Sequence, residues 1–169
     1  MPIAELLLPE FDQEMSTTRK ILERVPEGKS DWRPHPRSMT LGRLAGHVAE
    51  LAGWGANTLE RTELDFAPPG GPTYQPTIFT SRAETLKLFD EGVKATRTAI
   101  AKASDADLQV PWSLKRGGQV LLSMPRGAMF RSLVMNHLIH HRAQLGVFLR
   151  LNDVAIPGSY GPSADEPRF

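Results

Sequence analysis

PRGAMFRSLVMNHLIHHRAQLGVFLRL, residues 125–151, reads as one long helix: Pro125 suits a first helical turn, and Phe130, Leu133, Val134, Leu138, Leu145, Phe148 and Leu151 recur behind it at helical spacing. Within it, Asn136-His137-Leu138-Ile139-His140-His141 holds three of the chain's five histidines. With His137 set at zero and each residue advancing about 100°, Phe130 and Phe148 fall near +20°, His141 near +40°, Val134 near +60°, and Leu133 and Leu151 near −40°. This arithmetic predicts that His137 and His141 sit at the centre of the core-facing stripe. His140, at about −60°, flanks it, and Arg131, Arg142 and Arg150 lie well outside.

Three more helices follow from the same spacing. Leu8, Phe11, Met15, Thr18, Leu22 and Val25 mark a first helix ending near Pro26-Glu27-Gly28, and Leu44, His47, Leu51, Trp54 and Thr58 mark a second from about Thr40 to Arg61. Ser81 and Glu84 form a capping-box pattern ahead of a third helix carrying Leu86, Phe89, Val93, Thr96, Ile100 and Ala103. Between helices two and three, residues 63–79 contain Pro68-Pro69-Gly70-Gly71-Pro72, which cannot continue a helix. At about 3.3 Å per extended residue, that linker is long enough to run back along a helix of about 30 Å, so helices two and three can be parallel. Alternation at Leu108, Val110, Trp112 and Leu114, then Gly117-Gly118, then Val120 and Leu122, predicts a β-hairpin before the last helix. The tail from Asn152 to Phe169 reads as irregular. The expectation is an all-α chain forming one domain over residues 1–169.

Composition excludes several functions. Twenty basic and nineteen acidic residues leave a formal net charge of +1, and no run of either sign suggests a nucleic-acid or membrane surface. No apolar run approaches the roughly 18 to 20 residues of a membrane span, and the acidic start Met1-Pro2-Ile3-Ala4-Glu5 lacks the basic segment of a secretory leader. A cytoplasmic protein is expected. With no cysteine, thiolate ligands, disulfides, iron–sulfur clusters and cysteine nucleophiles are ruled out, and any metal must be held by nitrogen and oxygen.

His137 and His141, four residues apart, share one helix face and can close on one ion. His47 is the partner from helix two, where Thr40, Leu51, Trp54 and Thr58 lie within about 40° of it. Burying three imidazoles without a common partner would leave polar nitrogens unsatisfied at roughly 1–3 kcal/mol each, which a shared cation avoids. The rival is a water-filled cavity in which the histidines bond one another and Glu50 or Asn136. Three imidazoles without a carboxylate fit an open zinc site, with Ni²⁺, Cu²⁺ and Fe²⁺ as other ions suited to imidazole. Glu50, one turn beyond His47, either orients a ligand or accepts a proton, or is an exposed salt-bridging residue. Leu138 stands where the H-E-x-x-H motif needs glutamate, so classical zinc proteolysis is not expected.

Asn136-His137-Leu138-Ile139-His140-His141-Arg142-Ala143-Gln144-Leu145 and Pro157-Gly158-Ser159-Tyr160-Gly161-Pro162-Ser163-Ala164-Asp165-Glu166 resemble the C-terminal signature of the DinB-like family, and Leu44-Ala45-Gly46-His47-Val48 resembles the segment bearing its first metal histidine. Ala143 departs from the glycine frequent there. The resemblance implies a four-helix bundle of up-down-down-up topology, often a homodimer, with a divalent metal, Zn²⁺ or Ni²⁺, held by His47, His137 and His141. Some relatives resemble bacillithiol-dependent S-transferases, and mycothiol-dependent maleylpyruvate isomerases use a comparable bundle. The expected function is therefore a metal-dependent enzyme acting on a small molecule with a low-molecular-weight thiol co-substrate, as a transferase or a related isomerase or hydrolase. The alternative is a non-catalytic metal- or small-molecule-binding stress-response protein. The family name does not imply DNA binding. No catalytic residue is assigned; the segment from Pro157 to Glu166 either covers the end of the bundle, or its Tyr160 or Asp165 reaches the metal mouth or a dimer partner.

Overall fold

The computed structural model describes residues 2–167 and is mostly helical. Helix α1 spans Ile3–Leu22, α2 spans Leu41–Glu60 and α3 spans Arg82–Lys102. The Thr40 hydroxyl caps α2 by accepting from Arg43 N–H, and Ser81 caps α3 by accepting from Glu84 N–H. A short α4, Asp105–Gln109, replaces the start of the expected hairpin: Ser104 and Asp107 form a full capping box, and Leu108 is helical. The last helical run comprises α5 at Arg126–Met129, a π-helical segment at Phe130–Asn136 and α6 at His137–Arg150. The uniform helix expected there is thus interrupted by one wider-wound turn or more.

Strands β1 (Glu63–Asp65), β2 (Pro111–Arg116) and β3 (Gln119–Pro125) form a three-stranded sheet in the order β1-β2-β3. β2 and β3 are the expected antiparallel hairpin, turning at Gly117 and Gly118, whose φ values of +63° and +79° suit a two-residue turn. β1, which adds to β2 in parallel, was hidden in the crossover. Asp65 accepts from Ala67, Gly117 and Gly118 N–H, tying the crossover to the hairpin turn. Residues 152–167 form neither helix nor strand, as expected; the final two residues of the tail lie outside the described part.

Contacts between helices fix their relative directions. Arg19 pairs with Asp90 and Arg97 with Asp12, so α1 and α3 run oppositely. Phe79 N–H donates to Gly42 O at the start of α2, while farther along Gly53 faces Gly92 and Thr96 Oγ1 bonds Ala52 O, so α2 and α3 run the same way. The crossover therefore returns along α2, as its length allowed. Between these helices Phe11, Leu44, Leu51, Phe89, Ile100, Phe130, Leu138 and Leu149 form the core. Among the described residues no helix is long and apolar enough to cross a membrane.

The α2–α3 contact is close because two glycines meet. A Cβ on Gly92 would lie 2.7 Å from Gly53 N, backbone that cannot yield without separating the helices. Gly92→Ala is expected to lose stability in urea titration, because overpacking costs about 1–3 kcal/mol against a helix-propensity gain of at most about 1. Gly146→Ala in α6, where a Cβ meets nothing within 4 Å, should gain about 0.5–1 kcal/mol.

Candidate metal centre

α2 and α6 bring His47 against His137 and His141, with ring centroids 5.0 and 4.7 Å away; the His137 and His141 rings are themselves 4.7 Å apart. One ligating nitrogen from each lies within 4.8 Å of the others. His47 is buried, whereas His137 and His141 are half-buried. They stand at the edge of the buried face of α6, which is formed by Leu138, Arg142, Leu145, Gly146 and Leu149. The angular reading that centred them assumed a constant 100° step through residues 130–136, where the helix is π-wound, and it counted Arg142 as a surface residue.

Each imidazole has an oxygen acceptor at Nδ1. His47 Nδ1–H donates to Glu50 Oε1 at 2.6 Å, His137 Nδ1–H to Leu133 O at 3.2 Å, and His141 Nδ1–H to Gln144 Oε1 at 2.7 Å. The π segment assists His137: its backbone N–H goes to Val134 O, so Leu133 O is not taken up by it. A carboxylate and two carbonyl oxygens cannot donate, so the proton of each neutral ring resides on Nδ1 and the lone pair on Nε2. His47 Nε2 and His137 Nε2 are 3.3 Å apart. Two lone pairs at that distance repel unless a cation or a donor lies between them. Bonds of about 2.0–2.1 Å to a tetrahedral zinc ion give a ligand–ligand edge of about 3.3–3.4 Å, so the His47–His137 pair is spaced for such an ion, and the chemistry of three imidazole donors suits it.

The electrostatics favour the neutral, ligating form. Burial pushes His137 down to about 4, helped by His47 and His141, and lowers His141 as well. Burial alone would raise Glu50, but hydrogen bonds from His47, Tyr74 and Thr77 and the Arg43 charge outweigh it and bring Glu50 to about 2. Tyr74, raised to about 12 by burial and its bond to Glu50, remains a donor.

Glu50 is not the exposed glutamate that one sequence reading offered. It is 8% exposed and accepts from His47, Tyr74 Oη at 2.5 Å, Thr77 N–H at 3.2 Å and Arg43 at 3.2 Å. Tyr74 and Thr77 come from the crossover, and nothing in their spacing linked them to α2; Arg43, by contrast, sits one turn before His47. Trp54, Phe66 and Tyr74 extend an aromatic cluster from the triad, with Trp54 5.8 Å from the His47 ring and 6.1 Å from that of His137. His140 is exposed and its ring lies 4.8 Å from His141, outside the ligand group. Tyr160 bonds Glu14 and Arg142, and Asp165 bonds Arg150 and Ile156 N–H, so both fasten the tail to the helices and neither touches the histidines.

Comparisons with known proteins agree with this architecture. The chain is 28% identical over 163 residues to the uncharacterized protein YrdA of Bacillus subtilis (strain 168), an alignment covering 94% of this chain and 89% of YrdA. A crystal structure of a DinB-like protein from Bacillus cereus matches with a TM-score of 0.66 at 24% identity, covering 90% of this chain and 95% of that one. The DinB-like protein YjoA of Bacillus subtilis matches with a TM-score of 0.67 at 17% identity, covering 91% and 96%. At these identities the two structures bear on the fold. The DinB superfamily family model matches residues 10–145, most of the chain and all three histidines of the triad, and the chain belongs to that superfamily.

Proposed function

We propose that His47, His137 and His141 hold a divalent metal ion, Zn²⁺ or Ni²⁺, and that the site serves a thiol-dependent transfer, or a related isomerisation or hydrolysis, on a small molecule. The observation that carries this reading is the commitment of every Nδ1 to an oxygen acceptor, which leaves each Nε2 lone pair free, in a group where one ligating nitrogen of each ring lies within 4.8 Å of the others. Bound there, such an ion supplies Lewis acidity that lowers the pKa of a coordinated thiol or water. The chain's own residues orient and exclude. Glu50 fixes the His47 ring, the Leu133 carbonyl fixes His137, Gln144 fixes His141, and the aromatic cluster around Trp54 limits water on one flank. Held near 2 and fully engaged, Glu50 is a poor general base at neutral pH, which suits chemistry whose nucleophile is a bound thiol.

The same lack of a free base beside the triad favours the second reading, a non-catalytic stress-response protein that binds metal or small molecules. The wider reading has the four long helical runs as a single-domain up-down-down-up bundle, supported by opposed α1–α3 and aligned α2–α3 contacts. It places the protein in the cytoplasm as a homodimer, with no nucleic-acid or membrane partner; exposed Val120 and Leu121 on edge strand β3 supply apolar surface for a second copy. Metal analysis of protein purified without a histidine tag is expected to give about one ion per chain. The metal-loaded protein, tested on a panel of thiols and electrophiles, should turn over above a His137→Ala control. Metal without turnover would select the second reading, and protein without metal would reject the first and leave only small-molecule binding of the second.

A further inference from the structure

A cavity of about 310 Å³ opens beside the triad and has His141 in its wall. Ser38 and Met39 from the loop before α2, Leu44 from its first turns, and Gln144, Val147 and Phe148 from α6 complete the lining. Two features define what fits. The lining contains no Asp, Glu, Lys or Arg, and Gln144 spends its carbonyl oxygen on His141, which leaves its amide NH₂ and the Ser38 hydroxyl as the polar groups. The cavity is also braced: the Trp32 ring meets Phe148 edge-on at 5.5 Å, and Trp32 O accepts from Leu41 N–H at the start of α2.

We propose that this cavity receives the uncharged, apolar body of the substrate, a single aromatic ring or short alkyl chain, and delivers its reactive group past His141 to the metal centre. The assignment of a substrate rests on the metal-site reading above; the cavity's selectivity does not. An apolar cavity of about 150 Å³ already accommodates benzene, so this one has room for a ring and a small substituent but not for a large polar thiol. An ionised carboxylate there would find no cation among the lining side chains of the metal-free protein and would lose part of its hydration, which disfavours it. A charged thiol co-substrate therefore approaches from elsewhere, and the apolar electrophile occupies the cavity.

The test uses ¹³C-methyl-methionine protein, with the Met39 signal identified by its loss in Met39→Leu, and benzyl alcohol and sodium benzoate as probes. Benzyl alcohol should shift the Met39 methyl resonance, and in the metal-free protein benzoate should bind at least tenfold more weakly. Val147→Trp, at a position 59% exposed, should plug the cavity and weaken benzyl alcohol at least tenfold. Met39→Trp, read from the ligand side by saturation transfer, is a second plug with the same expected loss. The shift should persist in His137→Ala, and metal content should be unchanged in Val147→Trp, so failure of the cavity and failure of the metal site appear in different measurements. Equal binding of alcohol and benzoate, or plugs without effect, overturns the proposal. So does a Met39 signal that benzyl alcohol never perturbs while Val147→Trp alters the solution mass, because the groove is then covered by a second copy.

Discussion

Arg142→Met should destabilise the protein by about 3–5 kcal/mol, the cost of leaving a buried charge without its partner. Arg142 is 3% exposed and Glu14 6%. The guanidinium donates to Glu14 Oε2 at 2.6 Å, Glu14 O at 3.1 Å, Thr18 Oγ1 at 3.2 Å and Tyr160 Oη at 2.8 Å. Methionine fills the volume but removes all four hydrogen bonds, and Glu14 keeps only the Tyr160 hydroxyl. At roughly 2–4 °C per kcal/mol for a chain of this size, Tm should fall by about 6–20 °C. The double variant Glu14→Leu/Arg142→Met removes both charges and should recover most of the loss, because a buried pair is often no more stabilising than well-packed apolar residues. Arg97→Ala is the contrast: its pair with Asp12 is solvent-exposed, and the change should leave Tm almost unmoved. A single Arg142 variant as mild as Arg97→Ala would mean that water already reaches Glu14.

That ion pair also shows where reading the chain residue by residue stops working. Hydrophobic spacing located the long helices, Ser81 supplied the expected cap, and Gly117-Gly118 marked the hairpin turn. These are local rules and need no tertiary information. Arg142 was placed outside the core because a uniform 100° step puts it well outside the stripe centred on His137; its burial depends on Glu14, over a hundred residues earlier in the chain. The π segment at residues 130–136 has no comparably clear sequence signal, yet it turns the face on which the histidines lie and makes Leu133 O available to His137. The three histidines were legible from an i, i+4 pair and one partner on an apolar face. Their supports were only partly so. Gln144, three residues after His141, and Arg43, four before His47, are at helical contact spacing; Tyr74 and Thr77 reach Glu50 only because the crossover folds back along α2. The Ser104–Asp107 capping box, by contrast, was a readable local signal, overridden by alternation that ran Leu108 into the hairpin.

His137→Ala should abolish stoichiometric metal binding, with a larger effect than any substitution in the surrounding hydrogen bonds. Removing this imidazole takes away one of three converging nitrogens and leaves two, too few to hold a four-coordinate ion against solvent. Glu50→Gln tests the support instead of the ligand. Its amide oxygen can still accept from His47 Nδ1–H, but the negative charge that strengthens His47 as a donor to the ion is lost, and affinity should fall by about 10–100-fold. The ordering matters more than either value: His137→Ala must exceed Glu50→Gln in competition with a chelator of known affinity. Binding should also appear in folding. With free metal at 100 times Kd, linkage contributes about 2.7 kcal/mol, so chelation should lower the Tm of the native protein by roughly 5–11 °C. His137→Ala, having no ion to lose, should melt at the same temperature with and without chelator. If chelator shifts both proteins equally, the ion stabilises the chain from somewhere other than the triad. If it shifts neither and no metal is found, the three Nε2 atoms are bridged by water, and the repulsion at 3.3 Å is relieved by its hydrogens.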